Sequence, residues 1–166
     1  MKGTIMESIV QAKRVLEIFK EMSQIPRESG NEKGISDYIV NFAKNLGLEV
    51  HQDDQFNVVI KKPASPGYEN RPSIILQGHI DMVCVRDHDS NHDFSKDPIA
   101  NIIEGEWMHA DHTTLGADNG MGGAMMLAIL EDDSQQHGPM QLLFTTNEET
   151  GMDGAFAIKE GQVSGD

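Results

Sequence analysis

A chain of 166 residues with 13 basic and 27 acidic side chains carries a formal net charge of −14, which disfavours a phosphate backbone or an anionic membrane as partner. Its length suits one domain with its own core, and its 38% hydrophobic and 24% charged fractions are those of an ordinary globular protein. One cysteine, Cys84, excludes an internal disulfide framework, no window reaches the ~20 apolar residues of a membrane span, and charges at Lys2, Glu7, Lys13 and Arg14 break up any secretory signal, so the expectation is a soluble, cytoplasmic protein.

In chain order, Val15, Ile18, Phe19 and Met22 fall on the i, i+3, i+4, i+7 stripe of an amphipathic helix that Pro26 stops. A second helix is predicted after Asn31, with Ile35, Tyr38, Ile39, Phe42 and Leu46 on one face and Gly47 at its C-terminus. Two strands follow, around 48–52 and 57–62, joined by the turn at Asp53–Asp54. The segment from Pro63 to Pro72 is a loop by composition, and Ser73–Gln77 reads as a buried strand. Residues 86–97 are polar and irregular, and 102–109 read as a hairpin turning at Glu104-Gly105. Asp118–Leu130 is a buried helix, Gln141–Thr146 another buried strand, and a last helix is expected from about Gly151 to Lys159. Helices alternating with apolar strands predict an α/β sandwich with a largely parallel central sheet and no internal domain boundary. In such sheets sites form at the carboxyl ends of strands, here after Gln77 and after Thr146.

Both strand ends deliver metal-ligand side chains: His79 and Asp81 after the first, Glu148 and Glu149 after the second. Asp118 opens a helix between them. Imidazole nitrogen and carboxylate oxygen are zinc ligands, and one carboxylate can bridge two metals. A ligating histidine needs its second nitrogen held, a role within reach of Asp81 two residues along. Of two adjacent glutamates, one can bind metal while the other stays free as a base. Each piece alone is weak, and the chain holds its own control, His109-Ala110-Asp111, which lacks a long buried strand before it.

The three segments Ile75-Leu76-Gln77-Gly78-His79-Ile80-Asp81-Met82-Val83, Thr113-Thr114-Leu115-Gly116-Ala117-Asp118-Asn119-Gly120 and Thr145-Thr146-Asn147-Glu148-Glu149-Thr150-Gly151-Met152 closely resemble the aminoacyl-histidine dipeptidases. These belong to the co-catalytic zinc peptidases, with aminoacylases and glutamate carboxypeptidases. The resemblance covers essentially the whole chain. It implies a three-layer, zinc-exopeptidase-like α/β fold and metal-dependent hydrolysis of Xaa-His dipeptides. It further implies two Zn2+ per complete site, with Mn2+ or Co2+ as alternatives at a mixed N/O site. His79 would bind the first metal, Asp118 would bridge both, and Glu149 would bind the second. Glu148 would be the general base and Asp81 would orient His79. Such proteins use two further ligands, an Asp and a His, and a lid domain through which they form homodimers. By that resemblance residues 1–166 are the N-terminal portion of the catalytic domain, inactive alone. No ligand role is assigned to Asp166. The alternatives are an N-acyl amino acid deacylase and a non-catalytic metal- or peptide-binding half-domain.

Four other features carry bland expectations. Asp87-His88-Asp89-Ser90-Asn91-His92-Asp93 lacks the glycine and terminal glutamate of a calcium loop and reads as solvated. Cys84 reads as core. Met121, Met125 and Met126 read as packing residues. Gly120, Gly122 and Gly123 lack a following Gly-Lys-Ser/Thr, so close helix packing accounts for them better than phosphate binding.

Overall fold

The stripe Val15, Ile18, Phe19 and Met22 lies on α1 (Lys2–Ser23), with the last three residues fully buried. The computed structural model describes the backbone of residues 2–165 and the side chains of residues 11–165. Asp166 and the Lys2 and Glu7 side chains therefore lie outside the described residues. The second stripe forms α2 (Lys33–Asn45), burying Ile35, Ser36, Ile39 and Ala43. Gly47, at φ 71°, ends it where a residue with a Cβ would be strained, and the Leu48 N–H returns to Ala43 O at 3.1 Å.

The strands are β1 (Glu49–Gln52), β2 (Val58–Lys62), β3 (Ile74–His79), β4 (Asn101–Glu104), β5 (Trp107–Ala110) and β6 (Met140–Thr145). Between β5 and β6 runs α3 (Ala117–Glu131), and α4 (Asp153–Phe156) follows β6. The α/β class holds, but the expected largely parallel sheet is corrected. The main sheet has the order β1-β2-β6-β3, with β1–β2 and β2–β6 antiparallel and only β3–β6 parallel. The physical reason is connection length. The Asp53 carboxylate accepts the Gln55 and Asn57 N–H groups at 2.9 Å, closing a tight turn that only an antiparallel pair can use. The long excursion through β4, β5 and α3 returns the chain parallel to β3. The β4–β5 hairpin forms a separate two-stranded sheet, as its Glu-Gly turn predicts.

All six residues of β6 are buried, which suits a central strand covered on both faces. On one face Met140, Leu142 and Phe144 join the core with residues of α1, α2 and α3. On the other, the Gln141 side-chain oxygen accepts the Ser164 N–H at 3.2 Å, and the Asn57 amide donates to Gly154 O at 2.9 Å. That face is lined among the described residues by α4 and the segment running to 165. The last helix is shorter than the expected 151–159. Met152 sits at φ 61°, so helix starts only at Asp153, and the chain turns back through Gly161 at φ 86°.

Gly120 and Gly123 of α3 act as packing residues, whereas a Cβ on Gly122 would first meet the Asn119 side chain of the same helix. A Cβ on Gly120 would lie 3.0 Å from a Phe19 ring carbon, and one on Gly123 would lie 3.1 Å from Met22 Cε. Met126 is buried and Met121 packs on the core, but Met125 is 51% exposed, correcting its reading as a core residue. At the other end of α3, buried Lys62 donates from Nζ to Ile129 O, Leu130 O and Asp132 O, each at 3.0 Å. A cation there satisfies carbonyls that the helix leaves open and offsets the negative end of its dipole. Lys62→Met should keep the packing volume and lower unfolding free energy by about 1–3 kcal/mol in urea titration. An unchanged midpoint would show that the cap contributes nothing.

Candidate metal centre

The parallel pairing of β3 with β6 brings two strand ends side by side, so the residues after each share one rim of the sheet. His79 closes β3 and is 8% exposed; Asp81, two residues on, is fully buried. His79 Nδ1 lies 3.2 Å from Asp81 Oδ1. The same carboxylate accepts Ser29 Oγ at 2.7 Å and the backbone N–H groups of Glu148 and Glu149 at 3.1 Å each. Burial would raise the Asp81 pKa, but the His79, Ser29, Glu149 and Glu148 donors outweigh it and hold it at about 2. In the neutral imidazole, an ionised Asp81 keeps the proton on Nδ1 and makes Nε2 the lone-pair nitrogen.

That free nitrogen faces the other carboxylates. Asp118 Oδ1 lies 3.2 Å from His79 Nε2, and Glu148 Oε2 lies 3.9 Å from it. Burial disfavours charge on His79, yet Asp81, Asp118 and Glu148 together raise its pKa above 6.5. Asp118 lies at the kinked start of α3, on extended backbone (φ −85°, ψ 115°) after Gly116 at φ 68°, and its side chain is 89% exposed. The Asp118–Asn119 peptide is cis.

The glutamate pair hangs on a turn that closes around Asp81. Asn147, at φ 55°, is a residue type that tolerates the left-handed region. Its side chain donates to Asp153 Oδ2 at 2.8 Å and accepts the Thr150 hydroxyl at 2.6 Å. Its backbone N–H donates at 2.9 Å to buried Glu32 Oε1. Glu149 is pushed up from the usual carboxylate value, first by desolvation and then by Glu148, Asp118 and Asp81, against the pull of His79.

One ligand atom from each of His79, Glu148 and Glu149 can be chosen so that all lie within 4.8 Å of one another. With Asp118 against the same imidazole nitrogen, this is an N/O donor set of the kind zinc takes. The repulsion that adds to desolvation in lifting Glu149 is also what a divalent cation relieves. The residues present fit a metal.

All five residues singled out from the sequence thus come together. The second H-x-D motif does not join them: His109 Nδ1 turns to Ala110 O at 3.1 Å. In the 87–93 loop, Asp87 takes His112 Nδ1 at 2.7 Å and Asp93 pairs with Lys96 at 2.8 Å, which spends these carboxylates locally. Cys84 is half-buried against the small Met82, Ile99 and Ala110 cluster, and burial pushes its thiol up to about 11, far from a reactive thiolate. Sequence reading missed Ser29 and Glu32. Their partners lie 52 and 115 residues away, and a polar run after Pro26 looks like any connector between helices.

Comparison with known proteins finds relatives along most of this chain. The model for peptidase family M20/M25/M40 matches residues 75–165. The cytosol non-specific dipeptidase of Escherichia coli (strain K12) is 47% identical over 150 residues, covering 90% of this chain and 31% of that protein. The crystal structure of aminoacylhistidine dipeptidase from Vibrio alginolyticus superposes with a TM-score of 0.89 at 46% identity, over 92% of this chain and 31% of that one. A Staphylococcus aureus tripeptidase structure gives a TM-score of 0.77 at 27% identity, over 93% of this chain and 41% of that one. The chain thus spans about a third of the length of the two more similar relatives. No helix among the described residues is long and apolar enough to cross a membrane. With the family match covering more than half its residues, the chain belongs to peptidase family M20/M25/M40.

Proposed function

We propose that this chain carries the first ligands and the general base of a two-zinc dipeptidase acting on Xaa-His substrates. The observation that carries the reading is the meeting of His79, Asp118, Glu148 and Glu149 at one rim of the sheet, with Asp81 behind the imidazole. In this reading His79 would hold one metal, Glu149 the other, and Asp118 both. When bound, the metals supply a water of lowered pKa and polarise the scissile carbonyl. Glu148, half-exposed beside His79, takes the proton of the attacking water and returns it to the leaving amine. Asp81 fixes the His79 tautomer and never contacts substrate.

These residues give each metal two protein ligands, where catalytic zinc usually has three. The relatives' greater length leaves room for the others, and the 166 residues alone are expected to hold metal loosely and turn over no dipeptide. The dipeptidase names of the relatives support a dipeptide substrate, and the E. coli protein's cytosolic name supports the cytoplasm as the location.

The test is hydrolysis by the full-length protein with Zn2+, offered Xaa-His dipeptides and N-acyl amino acids in parallel. Dipeptide turnover is expected. Preference for N-acyl amino acids would make it a deacylase, and stoichiometric metal with no hydrolysis of either would make it a binding module.

A further inference from the structure

Arg27 is the largest of the fully buried side chains, 2% exposed, and among the described residues it has no carboxylate at ion-pair distance. Its hydrogen bonds all go to backbone. Nη1 donates to Ile80 O and Asp81 O at 3.3 Å each, and Nη2 donates to Gly116 O at 2.6 Å. Nε is buried with no partner. Arginine is rarely buried without an anion, because desolvating a charge is costly. Burial lowers its pKa to about 10, which still leaves it charged at neutral pH.

The surrounding backbone makes room for this guanidinium. A Cβ on Gly116 would lie 2.5 Å from Arg27 Nη2, and one on Gly120 would lie 2.6 Å from it. A side chain at either position would force the guanidinium to shift, so glycine at both leaves the planar group room between the end of β3 and the start of α3. Those are the two segments that carry the facing pair: Asp81 sits behind His79, and Gly116 lies two residues before Asp118. The planar fork of arginine fixes its donors in set directions toward carbonyls on both segments, whereas lysine gathers its three donors on one nitrogen at the end of a flexible stem.

We infer that Arg27 is a positioning residue: its guanidinium pins the Gly116–Asp118 turn to the Ile80–Asp81 backbone and so sets the spacing of Asp118 from His79. Its link to metal binding rests on the function proposed above; its fastening of the two segments does not.

The test compares R27K, R27M and G120A with the wild-type full chain, using L127A, a core truncation, as a stability control. G120A keeps the arginine but crowds its guanidinium, so it answers the question if the Arg27 variants fold poorly. Two readouts are taken below the melting temperature of every variant. The first is amide hydrogen exchange in the metal-free protein. Residues 114–120 should exchange at least about tenfold faster in R27K and G120A relative to β6, whereas L127A should raise exchange without that local bias. The second is a Co2+ titration followed by visible absorption, carried to millimolar metal. Affinity should fall about 10–100-fold in R27K and G120A, with an altered band, and stay at the wild-type value in L127A. Unchanged exchange at 114–120 would overturn the inference. So would faster local exchange with wild-type Co2+ affinity and spectrum, since the turn would then be fastened without positioning Asp118. If the wild type itself shows no saturable Co2+ band, the metal reading falls, and the exchange data alone decide for or against Arg27.

Discussion

Glu148→Ala should lower kcat by about 10²–10⁴-fold in the full-length protein, the range of a lost general base, while metal content stays near that of the wild type. Glu149→Ala should lose activity by losing metal. The two side chains are adjacent and sit in one cluster with His79, so geometry alone does not divide their labour. The environment does so in part: Glu148 lies 3.9 Å from the His79 nitrogen and is 39% exposed, open to a substrate approaching from solvent. Glu149 is the one crowded by Glu148, Asp118 and Asp81, the surroundings in which a bound cation relieves most repulsion. The check is metal analysis beside steady-state kinetics. If Glu148→Ala stripped the metal and Glu149→Ala kept it, the roles would be exchanged.

Asp81→Asn should cost about 3 kcal/mol or more of folding stability in the metal-free protein, a large effect for an isosteric change. The carboxylate accepts from His79, Ser29 and two backbone N–H groups without solvent contact. An asparagine keeps one acceptor oxygen and turns an NH2 toward former donors, and each buried donor left unsatisfied costs about 1–3 kcal/mol. The substitution also alters acid unfolding. The folded Asp81 titrates at about 2, below its unfolded value of 3.8. Its stabilisation is therefore fully present above the unfolded value and is lost as pH falls through that interval toward 2. Denaturant midpoints between pH 5 and pH 2 should fall less steeply in the variant than in the wild type. Parallel curves would show that Asp81 is not held ionised by the fold.

Local pattern carried much of this fold in the sequence. The stripe of α2, the glycine at 47, the Glu104-Gly105 hairpin and the apolar run of β6 each announce themselves within one element. Sheet direction did not, because pairing β2 with β6 joins residues about 80 apart, and nothing local to either strand names its partner. The site shows the same division. His79, Asp81, Asp118, Glu148 and Glu149 were legible because residue types that can bind metal sit at strand ends and a helix start, in three segments that together resemble a known family. The connector that fastens them was not. Arg27 reaches Gly116 across 89 residues, Glu32 reaches Asn147 across 115, and both act through backbone groups that leave no trace in side-chain pattern. A buried arginine whose hydrogen bonds go to backbone carbonyls is visible only once burial is known.

The most direct test of the metal centre is a crystal structure of the protein grown with excess Zn2+, with anomalous data collected at the zinc edge. A peak about 2.0–2.2 Å from His79 Nε2, shared by the Asp118 carboxylate, and a second at Glu149 are the result predicted here. No peak at His79, or zinc only on the exposed Asp87–His112 pair, would contradict it.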